Sequence, residues 1–167
     1  MDLTVRDVEP DDAEGLVRVL NPIIEARLYT ALDTPFSVET ERDYVIDFNE
    51  RGIWKVAVRE PDHLLVGFQV LEPYATYTHA FDHVGTLGTY VDLGSRRQGI
   101  ARRLFAATFA AARDKGYEKI FTFVRADNPA ALQTYLSQGF VVVGNAKRQA
   151  KIDGQYIDEI LIEKWLI

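Results

Sequence analysis

Two strand–helix–strand passages in the second half of the chain constrain its fold more than any other feature. The first runs from a strand predicted at 84–91, through the clearest helix in the sequence at 99–115, to a β-prone segment at 120–124. Apolar residues recur at helical spacing in that helix, and Gly116 follows as its C-cap. A second helix follows Asn128-Pro129 and leads into another strand. Such crossovers predict that part of the sheet is parallel.

The first half of the chain adds two helices and a hairpin. Pro10-Asp11-Asp12 predicts a helix start, and Asn21-Pro22 predicts its end or a kink. Ser37 predicts the cap of a second helix reaching about Arg51. With no repeat and no linker, residues 1–167 are expected to form one α/β (α+β) domain with a mixed sheet. The remaining predicted strands are Leu3–Val8, Trp54–Arg59, Leu64–Leu71, Phe140–Val143 and Tyr156–Leu166.

Composition and charge exclude several classes of function. The 167 residues contain no cysteine, which excludes a cysteine nucleophile, a CxxC redox centre and an iron–sulfur cluster. The formal net charge of −6 argues against nucleic acid or an anionic membrane surface as the main partner. We see no signal peptide and no apolar run of the roughly 20 residues that would span a bilayer. The expected compartment is the cytoplasm.

One strand-to-helix loop carries the strongest chemical signal. After the strand that ends at Val91, a basic loop opens the helix at Gly99, and the first amides of a helix have no partner within it. These amides lie at the positive end of the helix dipole, where phosphate binds readily. The residues predict a pyrophosphate site at Arg97–Arg102; the alternative is a basic helix start with a turn glycine. Neither GxGxxG nor GxxxxGK[ST] occurs, which excludes the two best-known phosphate loops.

Two motifs in this region resemble one enzyme family. Arg96-x-x-Gly99-x-Ala101 resembles the [R/Q]xxGx[G/A] motif of the GNAT (GCN5-related) N-acetyltransferases, and Asn128 to Phe140 resembles their NxxAxxxYxxxGF signature. The resemblance extends over about residues 84–143. The segments 83–92 and 144–159 also resemble the branch that acetylates amino-acid-like compounds, such as the phosphinothricin acetyltransferases.

The resemblance implies a GNAT fold and acetyl-CoA as co-substrate. The fold would be a single mixed, mostly antiparallel sheet of six to seven strands, with a splayed central parallel pair and about four helices. The backbone groups of Tyr90 and Val91 would pair with the pantetheine arm of CoA. Asn128 would either form a hydrogen bond to CoA or cap its helix. The implied cofactor-binding residues are Tyr90, Val91, Arg96, Arg97, Gln98, Gly99, Ile100, Ala101, Arg102, Asn128 and Ala131, and no metal is expected.

The implied reaction is direct attack of an amine on the thioester in a ternary complex. Tyr135 would protonate the leaving thiolate, although it could also be an ordinary core tyrosine. The position where many relatives carry a glutamate base is near Thr86, which cannot act as a base, so Glu72 or His83 is the expected proton acceptor.

We therefore expect a transferase that acetylates a primary amine of a small, amino-acid-like molecule, with a homodimer as a possible assembly. A protein N-terminal or lysine acetyltransferase and a non-catalytic acyl-CoA-binding module are the alternatives. The stretch 26–36, which borders the substrate region, decides between a closed pocket and an open groove.

Overall fold

Seven strands form one sheet in the computed structural model, which describes residues 1–167. The elements are β1 (Leu3–Asp7), α1 (Ala13–Glu25), α2 (Val38–Ile46), β2 (Ile53–Arg59), β3 (Leu64–Pro73), β4 (Val84–Val91), α3 (Ile100–Asp114), β5 (Lys119–Arg125), α4 (Pro129–Ser137), β6 (Val141–Ile152) and β7 (Gln155–Trp165). The strand order is β1-β2-β3-β4-β5-β7-β6, and only β4 and β5 are parallel neighbours. The predicted mixed, mostly antiparallel sheet with four helices is confirmed.

The two faces of the sheet are covered by different helices. On one face, apolar residues of α1 and Val45 of α2 pack against Trp54, Val56 and Phe68. On the other face, Phe105 of α3 and Tyr135 of α4 pack against strand residues of β3, β4 and β5. Burying each such side chain contributes about 1.5–3 kcal/mol, so these two layers hold the helices in place. No helix is both long and apolar enough to cross a membrane.

Helix α1 does not end at Asn21-Pro22, one of the two outcomes that the sequence predicted there, but continues through Pro22 to Glu25. Ile23 and Ile24 in its last turn are fully buried, and their packing outweighs the hydrogen bond that Pro22 cannot donate. The Asn21 side chain donates to the Phe36 carbonyl at 2.9 Å and accepts from its amide at 3.0 Å. Asn21 therefore does not end the helix; its side chain attaches the segment around Phe36 to α1.

Two further boundaries differ from the prediction. Helix α2 ends at Ile46 rather than near Arg51, because the chain turns to stack Phe48 edge-on against Trp54, with ring centroids 5.2 Å apart. Strand β6 continues far beyond Val143 to Ile152, where a turn at Asp153-Gly154 with positive φ angles joins it to β7. The polar sequence of this long hairpin concealed its strand character.

The central parallel pair is splayed, as predicted. β4 and β5 pair only at Val84 with Lys119 and Gly85 with Ile120. Beyond that point β4 stays on β3 and β5 stays on β7 to their ends. A single side-chain bond, from Thr122 Oγ1 to the Leu87 carbonyl at 2.8 Å, crosses the gap near its narrow end. The widening gap leaves backbone groups of β4 without a strand partner.

Candidate functional site

The N-terminus of α3 carries no side-chain cap, unlike those of α2 and α4. Ser37 and Asn128 cap α2 and α4 with side-chain oxygens, whereas no side chain caps α3. Gly99 stands at the N-cap position with φ 78°, and a Cβ built on it would meet no atom within 4 Å. The first-turn amides of α3 therefore point into free space.

The predicted pyrophosphate residues surround this open terminus. Arg96, Arg97, Gln98 and Arg102 are exposed, so their side chains are available to an anion. Ile100 is buried and contributes only its amide, while Ala101 is half-buried. Positive charge and free amides thus coincide at one point of an otherwise acidic chain, which fits the predicted anion site.

A close contact between α3 and β3 sets the distance of this terminus from the sheet. A Cβ on Gly67 of β3 would lie 2.9 Å from Ile100 Cγ2 and 3.1 Å from the Tyr90 carbonyl oxygen. Only glycine permits this approach, which brings the start of α3 against the end of β4. The Ser95 hydroxyl donates to the Asp92 carboxylate at 2.9 Å and shapes the turn between them.

Backbone alternation decides which β4 groups face the gap. The Asp92 amide donates to the Val66 carbonyl at 2.9 Å, and the Val84 carbonyl accepts from the Tyr74 amide at 3.0 Å. In an antiparallel pair every second residue bonds the partner strand, so the even-numbered residues of β4 face β3. Val91 and Thr89 therefore present their amides to the gap. Tyr90, predicted from the sequence as the second backbone partner, faces β3 instead and offers only its side chain.

Tyr135 lies at the far side of the gap from α1 and α2. Its hydroxyl is 2.9 Å from Thr89 Oγ1, which also accepts a hydrogen bond of 2.9 Å from Gln69 Nε2. The ring packs edge-on against Phe105 and Phe140, with centroids 5.3 Å and 5.1 Å away. Burial raises the pKa of the Tyr135 hydroxyl well above its ordinary value, so the group keeps its proton at neutral pH. The placement shows a buried core tyrosine whose hydroxyl lies beside the gap, and its role as a donor to the leaving thiolate stays a prediction.

A cavity of about 740 Å³ passes through the gap and joins the two faces of the sheet. On the α1/α2 face it is lined by aromatic side chains that include Tyr44, Phe48 and Phe68, and on the opposite side it reaches Ala131 and Tyr135. The lining of this one cavity therefore includes β4, Tyr135 and the aromatic residues of the α1/α2 face.

The two predicted proton acceptors lie in different places. Glu72 lines the cavity opposite Thr86 in the β3–β4 register, and it is exposed. His83 precedes β4 at the closed end of the β4–β5 pair, where its carbonyl accepts from the amides of Glu118 and Lys119, and it does not line the cavity. The structure thus separates His83 from the other predicted site residues, because β4 carries it away from the gap.

Three charged residues of the cavity were not predicted. Glu41 of α2, Arg125 of β5 and Glu159 of β7 are at most 5% exposed, and all three line the cavity. Burial raises the pKa of the Glu41 carboxyl and of the Glu159 carboxyl, and the nearby Arg125 partly offsets the rise at Glu159. A glutamate in a helix's first turn and an arginine at a strand end have ordinary structural explanations, so no sequence signal singled them out.

The stretch 26–36 folds over the cavity. The Arg125 guanidinium donates to the Thr30 carbonyl at 3.0 Å, and the Asn128 amide donates to the Tyr29 carbonyl at 3.3 Å. The Arg96 guanidinium lies 4.1 Å from the centre of the Tyr29 ring. These contacts link the stretch to β5, α4 and the basic loop, so it walls the cavity on the α1/α2 face.

Asn128 serves as a helix cap. Its Oδ1 accepts from the Ala131 amide at 3.2 Å, while its Nδ2 donates to the Tyr29 carbonyl. Of the two roles that the sequence left open, capping is the one for which the structure provides the partners. The side chain also orients the wall of the cavity next to Tyr135.

Comparisons of the sequence and of the structure with known proteins agree on one family. A family model described as the acetyltransferase (GNAT) family matches residues 23–140. YwnH of Bacillus subtilis (strain 168), which carries the provisional name phosphinothricin acetyltransferase, is 23% identical over 156 residues, 93% of this chain and 94% of its own. The structure of a ribosomal-protein-alanine N-acetyltransferase from Brucella melitensis is 25% identical with a TM-score of 0.89, covering 97% of this chain and 99% of its own.

A phosphinothricin acetyltransferase from Sinorhizobium meliloti, solved in complex with AcCoA, has a TM-score of 0.88 at 17% identity and covers 99% of this chain and 89% of its own. The family model itself spans both motifs on which the resemblance rests, the one at 96–101 and the one at 128–140. The splayed strands, the open helix terminus and the buried tyrosine occupy the positions that the resemblance implied. The chain belongs to the acetyltransferase (GNAT) family and is an enzyme that transfers acetyl groups.

Proposed function

We propose that this enzyme transfers an acetyl group from acetyl-CoA to a primary amine of a small, amino-acid-like molecule. The observation that carries the proposal is the cavity that passes through the sheet between β4 and β5 and opens on the walled α1/α2 face. Two substrates entering from opposite faces meet in the gap. Direct transfer in a ternary complex requires this arrangement.

Acetyl-CoA is the co-substrate of the family, and the residues present fit it. The uncapped start of α3, with its positive-φ glycine and exposed arginines, suits a pyrophosphate. The gap beside β4 suits an extended arm, because the Thr89 and Val91 amides face it without a strand partner. We assign the pyrophosphate to the loop Arg96–Arg102 and the arm to Val91 and Thr89, with Ala131 as part of the wall.

The bound donor supplies the acetyl group as a thioester, and the protein orients it and manages the protons. The Val91 amide is proposed to donate to the thioester oxygen, which favours charge developing there. The Tyr135 hydroxyl, held by Thr89, donates to the sulfur. Because its raised pKa makes it a reluctant acid, its first contribution is a hydrogen bond to the departing thiolate rather than full proton release.

Arg125 supports the amino-acid-like acceptor. It is the only basic side chain that lines the cavity, so an acceptor's carboxylate has one cationic partner there. Asp127 fixes the guanidinium through two bonds of 2.8 Å, to Nε and Nη2, which leaves donors on the other edge. The phosphinothricin acetyltransferase name of YwnH points to the same class of acceptor.

Thiol release from acetyl-CoA across a panel of amines tests the proposal. The panel holds amino acids, their sulfoximine and phosphinic analogues, polyamines and short peptides with free N-termini. We expect turnover with at least one small amine and none with peptides, because we propose that the stretch 26–36, which walls the cavity, leaves no open groove for a peptide. Turnover with peptides alone would favour the protein acetyltransferase. No turnover despite acetyl-CoA binding by calorimetry would favour the binding module.

Four expectations stay predictions. These are a cytoplasmic location, a homodimer, a single domain over residues 1–167 and a water chain from the amine to Glu72. Sedimentation at several protein concentrations tests the dimer, and limited proteolysis that leaves no stable fragment supports the single domain.

A further inference from the structure

Glu41 is a buried carboxylate with no partner. It is 4% exposed, and its side chain takes part in no hydrogen bond and no ion pair. Burial is the one cause that raises its pKa, so no cation of the protein compensates its charge. An uncompensated buried carboxylate costs several kcal/mol.

The surroundings of Glu41 suit an ammonium ion. Aromatic rings from α2 and from three strands line the same cavity, among them Tyr44, Trp54, Phe68 and Tyr90. Aromatic faces together with a carboxylate form the usual environment of a protein-bound ammonium group. The Trp54 Nε1–H is also buried and has no acceptor within the protein.

Glu41 is also close to the reacting end of the cavity. Its charge raises the pKa of the Tyr90 hydroxyl, together with burial. The Tyr90 ring folds back along β4, so that its hydroxyl lies 3.1 Å from where a Cβ on Gly88 would stand. Gly88 adjoins Thr89, which faces the gap and holds Tyr135. Glu41 and Tyr90 line the same cavity, so Glu41 lies on the α1/α2 side of the segment where the thioester is proposed to lie.

We propose that Glu41 binds the acceptor as an ammonium ion and takes its proton before the amine attacks the thioester. This inference rests on the proposed function and replaces Glu72 as the proton acceptor. In the step, R–NH₃⁺ gives one proton to the Glu41 carboxylate, which leaves R–NH₂ with a free electron pair and Glu41 as a carboxylic acid. The amine nitrogen loses a second proton as the amide forms, and the departing thiolate takes up one. Glu41 returns its own proton to solvent through the cavity mouth.

Other ionisable groups face the same space and define the alternatives. Glu72 is exposed at the mouth, and Glu159 already has Arg125 nearby, which makes both poorer proton acceptors for a desolvated amine. The full set of ionisable side chains that line the cavity with Glu41 is Tyr29, Tyr44, Asp47, Glu72, Tyr90, Arg125, Tyr135 and Glu159.

The kinetic test compares Glu41→Gln with Asp43→Asn, the same chemical change at an exposed position of α2. With the best small amine of the panel, we expect Glu41→Gln to lower kcat/KM at pH 7 by on the order of 100-fold or more. The deficit should shrink as pH approaches the amine's own pKa, since the amine then arrives neutral. Asp43→Asn should follow the wild-type profile. A Glu41→Gln profile parallel to wild type, or a deficit that shrinks with rising pH in Glu72→Gln instead, would overturn the proposal.

A second readout needs no turnover. The ¹³C carboxyl resonance of Glu41, assigned by its loss in Glu41→Gln, reports the pKa directly. We expect n-butylamine to lower that pKa, because a bound cation stabilises the carboxylate, whereas n-butanol of the same shape should not. If the amine leaves the resonance unmoved while the wild-type enzyme acetylates small amines, the Glu41 assignment fails and the proposed function stands. If no amine is acetylated, the proposed function fails independently.

Discussion

Gly99→Ala, compared with Gly154→Ala, distinguishes the loss of the proposed anion site from the effect of backbone strain. Gly99 has φ 78°, and Gly154 in the β6–β7 turn also has φ 78°; neither has an atom within 4 Å of an added Cβ. Alanine in this left-handed region costs about 1–2 kcal/mol at either position. In a chain of this length, each substitution should lower Tm by about 2–8 °C.

Only one of the two substitutions should affect the ligand. The Cβ at Gly99 would project next to the free amides of α3 and displace the pyrophosphate from one or two of them. Hydrogen bonds to a charged group are worth about 1.5–3 kcal/mol each. The Kd for CoA should therefore rise by about 10-fold to more than 100-fold in Gly99→Ala, at 1.4 kcal/mol per factor of ten. Gly154→Ala should bind CoA normally.

Calorimetric titration of CoA and thermal unfolding of both variants provide the assay. Equal CoA affinity in the two variants, at equal loss of Tm, would refute the placement of the pyrophosphate on the α3 terminus. An affinity loss in both would show that strain alone explains the effect.

Three further substitutions test single residues. Tyr135→Phe should lower kcat by on the order of 100-fold with little change in CoA affinity. The control is Tyr117→Phe, which also loses one tyrosine hydrogen bond, the one to the Arg51 carbonyl at 2.9 Å. This control should keep full kcat in the same assay. Glu41→Gln should stabilise the protein, because the raised native pKa of Glu41 means that wild-type stability falls as pH rises from the ordinary glutamate pKa through the native one. Its Tm advantage should be small at pH 4 and larger at pH 8, and a Tm below wild type at pH 8 would contradict the burial argument. Asn128→Ala should cost about 1 kcal/mol in denaturant unfolding through loss of the cap, and a lowered CoA affinity without that cost would favour the CoA-bonding role instead.

Sequence reasoning succeeded where local chemistry and packing agree. The helix at 99–115 and the strands around it were predictable because apolar periodicity and the capping glycine indicate the same structure. The end of α1 was not predictable, since only the burial of Ile23 and Ile24 keeps the helix intact past Pro22. Long β6 was missed for a related reason, because its polar residues form a strand through pairing with β7.

The acceptor side of the site was mostly beyond sequence reasoning. Arg125 and Glu159 come from different strands and meet only because β5 and β7 pair in one register, Arg125 opposite Glu159. In the sequence, Glu41 has only the features of an ordinary first-turn glutamate. Its place in the cavity lining follows from the packing of α2, which the sequence does not show. Most residues proposed for the donor side, in contrast, lie in one continuous stretch from Thr89 to Arg102, and Ala131 and Tyr135 are added from α4.

Initial rates over a grid of acetyl-CoA and amine concentrations test the central claim most directly. We propose that both substrates meet in the cavity at the β4–β5 gap, and the chain has no cysteine to accept an acetyl group. We therefore predict double-reciprocal lines that intersect, as a ternary complex requires, and no acetyl group on the protein when acetyl-CoA is present alone. Parallel lines with an acetylated enzyme would contradict direct transfer and place a covalent step between the two substrates.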